Sequence, residues 1–162
     1  MSNNSYVIYL DVCCLSRPFD DWSYDRNRLE GEAIIKILKL FNSDNYKLAN
    51  SEVIEAELRK MTNLDKLKEI KQLLKIADFK IILTEEMDQR SQELEKLGFG
   101  LYDSLHIACA EYAKIDMLLT TDDRLLKKAI NYRNLLKVKL ENPVTWLMNA
   151  IFLNGDEQNE TN

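Results

Sequence analysis

Five short β-prone runs alternate with stretches whose apolar residues recur every three or four positions, and this alternation constrains the fold more than anything else in the chain. The runs lie at residues 6–10 (YVIYL), 46–49, 79–83, 117–120 and, more weakly, 137–140. Between the first two, Leu29, Ala33, Ile34, Ile37, Leu38 and Phe41 set a helical stripe within residues 26–41. Ser51 is placed to cap a helix carrying Val53, Ile54, Ala56 and Leu58, and Leu64, Leu67, Ile70, Leu73, Leu74 and Ala77 form the next stripe. Thr84 opens a helix with an acidic first turn, and Gly98 and Gly100 break the chain before the stripe Leu101, Leu105, Ala108, Cys109 and Tyr112. Asp122 and Asp123 start a short helix to Ile130, and Pro143 starts the last one. Residues 15–24, with Pro18 and two adjacent aspartates, read as loop. Strands joined through helices need crossover connections, so the expectation is an α/β chain with a parallel sheet covered on both faces.

Only 6 of the 162 residues are glycine or proline, which argues against a turn-rich sandwich or a flexible linker. No internal repeat or second domain is evident; residues 1–153 read as one domain and residues 154–162 as a disordered acidic tail. Three cysteines, two of them adjacent, make a poor disulfide framework, and a reducing cytoplasm is the expected compartment. Neither an export signal nor an apolar run of about 18 residues is seen, so no membrane contact is expected.

In an open parallel sheet, reacting groups gather beyond the carboxyl ends of the strands. Asp11 ends the first run and Asp122 follows the fourth, while Glu57 lies on the helix begun by Ser51 and Asp103 in the first turn of the helix after Gly100. Brought together, four carboxylates raise one another's pKa unless a counter-charge is present. Hard oxygen ligands of this kind suit Mg²⁺ or Mn²⁺, ions able to serve phosphodiester hydrolysis. Taken singly, Asp103 also reads as an ordinary first-turn acid, Asp122 as a helix cap and Glu57 as a solvated position. Asp11 is harder to dismiss, since it directly follows five β-prone residues of a buried strand. His106 and Cys109, one turn apart on a patterned helix and without an orienting partner, read as packed residues rather than a nucleophile and base.

The segments V-I-Y-L-D (residues 7–11), L-A-N-S-E-V-I-E-A-E-L (48–58), Y-D-S-L-H-I-A-C-A-E (102–111) and L-L-T-T-D-D-R-L-L (118–126) agree in order, spacing and hydrophobic context with one family. Over about residues 6–140 the chain resembles PIN-domain nucleases, in particular the small single-domain type found as VapC toxins. The resemblance implies a PIN-like three-layer α/β/α sandwich with a central, mostly parallel sheet. It also implies an Mg²⁺- or Mn²⁺-dependent endoribonuclease, commonly a homodimer, often held inactive by a cognate antitoxin. The family's acids fall on Asp11, Glu57, Asp103 and Asp122, as catalytic and metal-binding residues. Glu55 rivals Glu57 and Asp123 rivals Asp122; Leu58 beside Glu57, its spacing from Ser51, and the Thr-x-Asp spacing from Thr120 favour the first of each pair. Val12 and Cys13 follow Asp11, where many members carry Thr or Ser directly after the acid. The second reading is a PIN fold kept as an RNA- or protein-binding module with little catalysis.

An RNA substrate would need cations. Residues 124–140 hold six bases and no acid, among them Arg124, Lys127 and Lys128, with Arg17 and Arg26 as a second candidate pair near the end of the first strand. A solvated helix face is the plainer account of that run. Setting aside the four candidate ligands takes the net charge from −5 to −1, so the acidic balance does not argue against a nucleic-acid substrate.

Overall fold

The structure, a computed structural model, describes residues 4–160. Five strands form one sheet, β1 (Tyr6–Leu10), β2 (Tyr46–Ser51), β3 (Phe79–Ile81), β4 (Met117–Leu119) and β5 (Lys139–Glu141), in the order β3-β2-β1-β4-β5. Every pairing is parallel, with Ile8 opposite both Leu48 and Met117 and Leu10 opposite Leu119. The expected α/β/α architecture is therefore present, with a sheet that is wholly parallel. The central strands are covered on both faces, which is why they read as unbroken apolar runs: Ile8, Tyr9, Leu10, Leu48, Leu118 and Leu119 are fully buried. Each such aliphatic side chain contributes about 1.5–3 kcal/mol by leaving water. The edge strands are short and carry exposed Lys80 and Lys139, a composition that discourages pairing with another sheet.

The helices are α1 (Val12–Ser16), α2 (Asp25–Leu40), α3 (Glu52–Leu58), α4 (Leu64–Leu74), α5 (Glu85–Lys96), α6 (Leu101–Tyr112), α7 (Asp123–Asn131) and α8 (Pro143–Glu160). The chain moves outward from β1 to β3 and then returns to β4. With right-handed crossovers, that reversal carries α5 and α6, packed on each other, to the face opposite α2 and α8.

One segment departs from expectation. Residues 15–24 are not simply loop: α1 and a 3-10 turn, Arg17–Phe19, begin immediately after β1. The cause is Asp11, whose carboxylate accepts from the Cys14 N–H at 3.0 Å and caps a helix too short to show a period. At the other end, α8 runs as far as Glu160. Residues 161–162 lie outside the described part.

Between α5 and α6 the chain turns sharply. Gly98, at φ 101°, takes the left-handed position of a helix stop in which its N–H bonds the Glu95 carbonyl and the Phe99 N–H that of Leu94. Gly100 then begins α6, which sets Asp103 in the first turn.

Candidate functional site

Strand order reverses at β1, whose outgoing chain leads to β2 on one side while β4 lies on the other. Beyond the carboxyl ends of β1 and β4, at this switch, is a cleft of about 300 Å³ lined by Asp11, Val12, Cys13, Arg17, Glu57, Asp103, His106, Thr121 and Asp122. All four acids singled out from the sequence meet there.

Each is held differently. Asp11 is buried, and burial first, then the Cys13 sulfur beside it, push its carboxyl well above the ordinary range. Its Oδ1 accepts from the Cys14 N–H at 3.0 Å and lies 2.8 Å from the Cys13 sulfur, so acid and thiol share one proton between them. Asp103 is pushed up to about 6, by burial and then by the charges of Asp11 and Asp122. Asp122 is indeed a cap: its Oδ1 accepts from the N–H groups of Arg124 and Leu125 at 2.9 and 3.2 Å, and its own N–H donates to the Thr120 hydroxyl at 3.1 Å. That last bond gives the Thr-x-Asp spacing its physical meaning. Cap and cleft roles coexist because the second carboxylate oxygen is not used by the cap.

The rival acids point elsewhere. Glu55 accepts from Asn50 and Lys80 at 3.3 Å and lines a different hollow beside α4. Asp123 is taken by Arg26 through two bonds of 2.7 and 2.8 Å. Among the candidate RNA contacts, Arg17 and Arg26 are likewise committed within the protein, both donating to buried Glu30, and Arg17 also to Asp20. Lys128 donates to the Gly98 carbonyl and stands over the Phe99 ring. Arg124 and Lys127 have no ion-pair partner among the described residues.

The sequence model of the PIN domain family matches residues 8–131, most of the chain and every segment that supplies the cleft. The protein belongs to the PIN domain family. Solved structures share its fold. VapBC2 of Rickettsia felis, solved bound to a DNA fragment from its promoter, has a TM-score of 0.55 at 18% identity, covering 83% of this chain and 98% of that one. VapBC-1 of nontypeable Haemophilus influenzae gives 0.56 at 14% identity, covering 85% and 98%. PAE2754 of Pyrobaculum aerophilum gives 0.54 at 16%, covering 91% and 97%. No curated protein matches the sequence.

In this PIN domain four carboxylates from four chain segments line one cleft, hard oxygen donors of the kind a divalent cation takes, and one of them is raised to about 6 by burial and then by the charges of the others. The Cys13 and Cys14 sulfurs lie within 4.8 Å of an Asp11 oxygen, but Cys14 is fully buried and its thiol is pushed well above its ordinary value by that burial. It belongs to the core rather than to a soft-metal site.

Sequence reasoning missed His106 as part of the site. It lines the cleft at 2% exposure, with Nε2 3.0 Å from Glu57 Oε1 and Nδ1 2.5 Å from the Tyr9 hydroxyl. The available signal was its place three residues after Asp103, on the same face of one helix.

Proposed function

We infer that this PIN domain is a divalent-metal-dependent endoribonuclease and the toxin of a toxin–antitoxin pair. The observation that carries the reading is the meeting of Asp11, Glu57, Asp103 and Asp122 in one cleft at the strand switch. These four would hold Mg²⁺ or Mn²⁺. When bound, such an ion supplies Lewis-acid stabilisation of the charge that develops on phosphodiester oxygens.

The chain's own groups do the rest. Asp122 is fixed by the first turn of α7, so that helix sets where the scissile phosphate is met. Arg124 and Lys127, two and five residues beyond Asp122 on α7, attract the RNA backbone toward the acids. Glu57 Oε1 meets His106 Nε2 at 3.0 Å. The VapBC neighbours support an antitoxin partner for this fold. Leu64, at the start of α4, and Ile76, two residues past its end, are exposed and offer apolar surface for a homodimer. No helix among the described residues is long and apolar enough to cross a membrane.

Incubation with a mixed RNA pool in Mn²⁺, in chelator, and with Asp103→Asn tests the reading. Cleavage only by the wild type in Mn²⁺ is expected. RNA binding without cleavage under all three conditions would replace it with the binding-module reading.

A further inference from the structure

His106 closes a buried chain of hydrogen bonds that begins on the backbone. The Ile54 N–H donates to Ser51 Oγ at 3.0 Å, Ser51 and Tyr9 share a bond of 2.7 Å, Tyr9 and His106 Nδ1 one of 2.5 Å, and His106 Nε2 meets Glu57 Oε1 at 3.0 Å. Ser51 and Tyr9 are fully buried. The Tyr9 and His106 rings pack edge to face at 5.5 Å.

One polarity satisfies every group. Ser51 accepts from Ile54 and donates to Tyr9, Tyr9 donates to Nδ1, and Nε2–H donates to the Glu57 carboxylate. The opposite imidazole tautomer would set a nitrogen lone pair against the carboxylate. A reversed chain would leave the buried Ser51 hydroxyl proton without an acceptor, a costly loss. The geometry therefore selects the Nε2–H tautomer, locked at its far end by a main-chain amide.

The segments joined are those that carry the acids. Tyr9 lies two residues before Asp11, Ser51 six before Glu57, and His106 three after Asp103. Both imidazole nitrogens are occupied, so His106 is not placed to exchange protons with a substrate.

We propose that His106, through Tyr9 and Ser51, is a positioning residue that holds Glu57 toward the cleft and fixes the spacing of three of the four acids. The proposal rests on the metal-site reading, and the test separates the two. Mn²⁺ binding to the full chain, followed by the electron paramagnetic resonance of free Mn²⁺ at one pH, is compared for the wild type, His106→Ala, His106→Gln, Tyr9→Phe, Glu57→Gln and the His106→Ala/Glu57→Gln double variant. A lost positioning partner weakens metal affinity about 10-fold or more. His106→Ala is expected to show that loss, Tyr9→Phe a smaller one, and His106→Gln, whose amide can still donate to Glu57, a recovery of most of the affinity. In the Glu57→Gln background, His106→Ala adds less than it does alone, because its bond to Glu57 is already lost.

Wild-type affinity in His106→Ala, or additive losses in the double variant, overturns the proposal while leaving the metal site standing. Wild-type affinity in Glu57→Gln overturns the metal reading at that residue and the proposal with it. Independently of metal, ¹⁵N resonances of His106 in the wild type are expected to show protonated Nε2 and bare Nδ1; the other tautomer overturns the proposal even where His106→Ala fails to fold.

Discussion

Arg26 grips Asp123 with both arms of its guanidinium, Nη1 at 2.7 Å and Nη2 at 2.8 Å, and so draws one of two adjacent acids away from the cleft. Asp122, beside it, lines the cleft instead. The pair is exposed, so it is worth at most about 1 kcal/mol to the fold. Asp123→Asn is expected to leave RNA cleavage within about threefold of wild type, whereas Asp122→Asn, which preserves the cap, lowers it by about 100-fold or more. Initial cleavage rates in Mn²⁺ check this, and equal losses in both would reassign the ligand.

A second expectation follows from the crowding of charge around Asp103. Its carboxyl ordinarily titrates at 3.8 but at about 6 in the fold, because burial and then Asp11 and Asp122 oppose its ionisation. Between those values the folded state holds a proton that the unfolded state has lost. The stability from this group is thus fully present below about 3.8 and is lost as pH rises through about 6. Asp11 acts in the same direction. In chelator, melting temperature should fall from pH 5 to pH 7.5, and Asp103→Asn should flatten that fall and melt higher than wild type at pH 7.5. Mn²⁺ should restore the wild type at pH 7.5 by binding only the folded state. A chelated wild type whose melting temperature rises across this range would contradict the account.

How much of this was legible beforehand depended on the distance over which each signal acts. The parallel sheet could be read because buried strands and amphipathic helices each leave a local period, and Asp11 and Asp122 drew notice because strand ends in such a sheet are neighbours, whereas Glu57 and Asp103, on helices, were singled out through the family resemblance. Helix α1 could not be, since its five residues rest on one cap from Asp11. Glu30 reads as one more charge on α2, yet it is buried against Asn142, 112 residues away. His106 likewise looked like core packing, because its partner Glu57 lies 49 residues away on another helix. The basic residues fared worst: a sequence counts charges and says nothing of which are already paired, and Arg17, Arg26 and Lys128 all are engaged within the fold.

Glu30 gives the third expectation. At 3% exposure its Oε1 accepts from Arg17 and Arg26 at 2.9 and 3.2 Å, and its Oε2 from Asn142 at 2.7 Å. The bonds tie α2 to the turn after β1 and to the start of α8. Removing a buried partner leaves the others desolvated and unpaired, so Glu30→Ala should cost about 3 kcal/mol in urea denaturation, with the slope unchanged. A loss under about 1 kcal/mol would show that Arg17, through Asp20, suffices to hold this corner.

The last expectation concerns which cations meet RNA. Lys128 is engaged with the Gly98 carbonyl and lies 5.8 Å from the Phe99 ring centroid, so it secures the turn that places α6. Arg124 and Lys127 have no such duty among the described residues. Each phosphate neutralised on a single strand contributes about 0.7 to the slope of log affinity against log salt. Replacing Arg124 and Lys127 together with alanine should therefore lower that slope by about 1.4 and weaken binding most at low salt. Lys128→Ala should lower the melting temperature and leave the slope near the wild-type value. Fluorescence anisotropy of a labelled RNA across a KCl series, in chelator so that nothing is cut, measures both. A slope that follows Lys128 rather than the other two would mean that the bond to Gly98 opens to let RNA in.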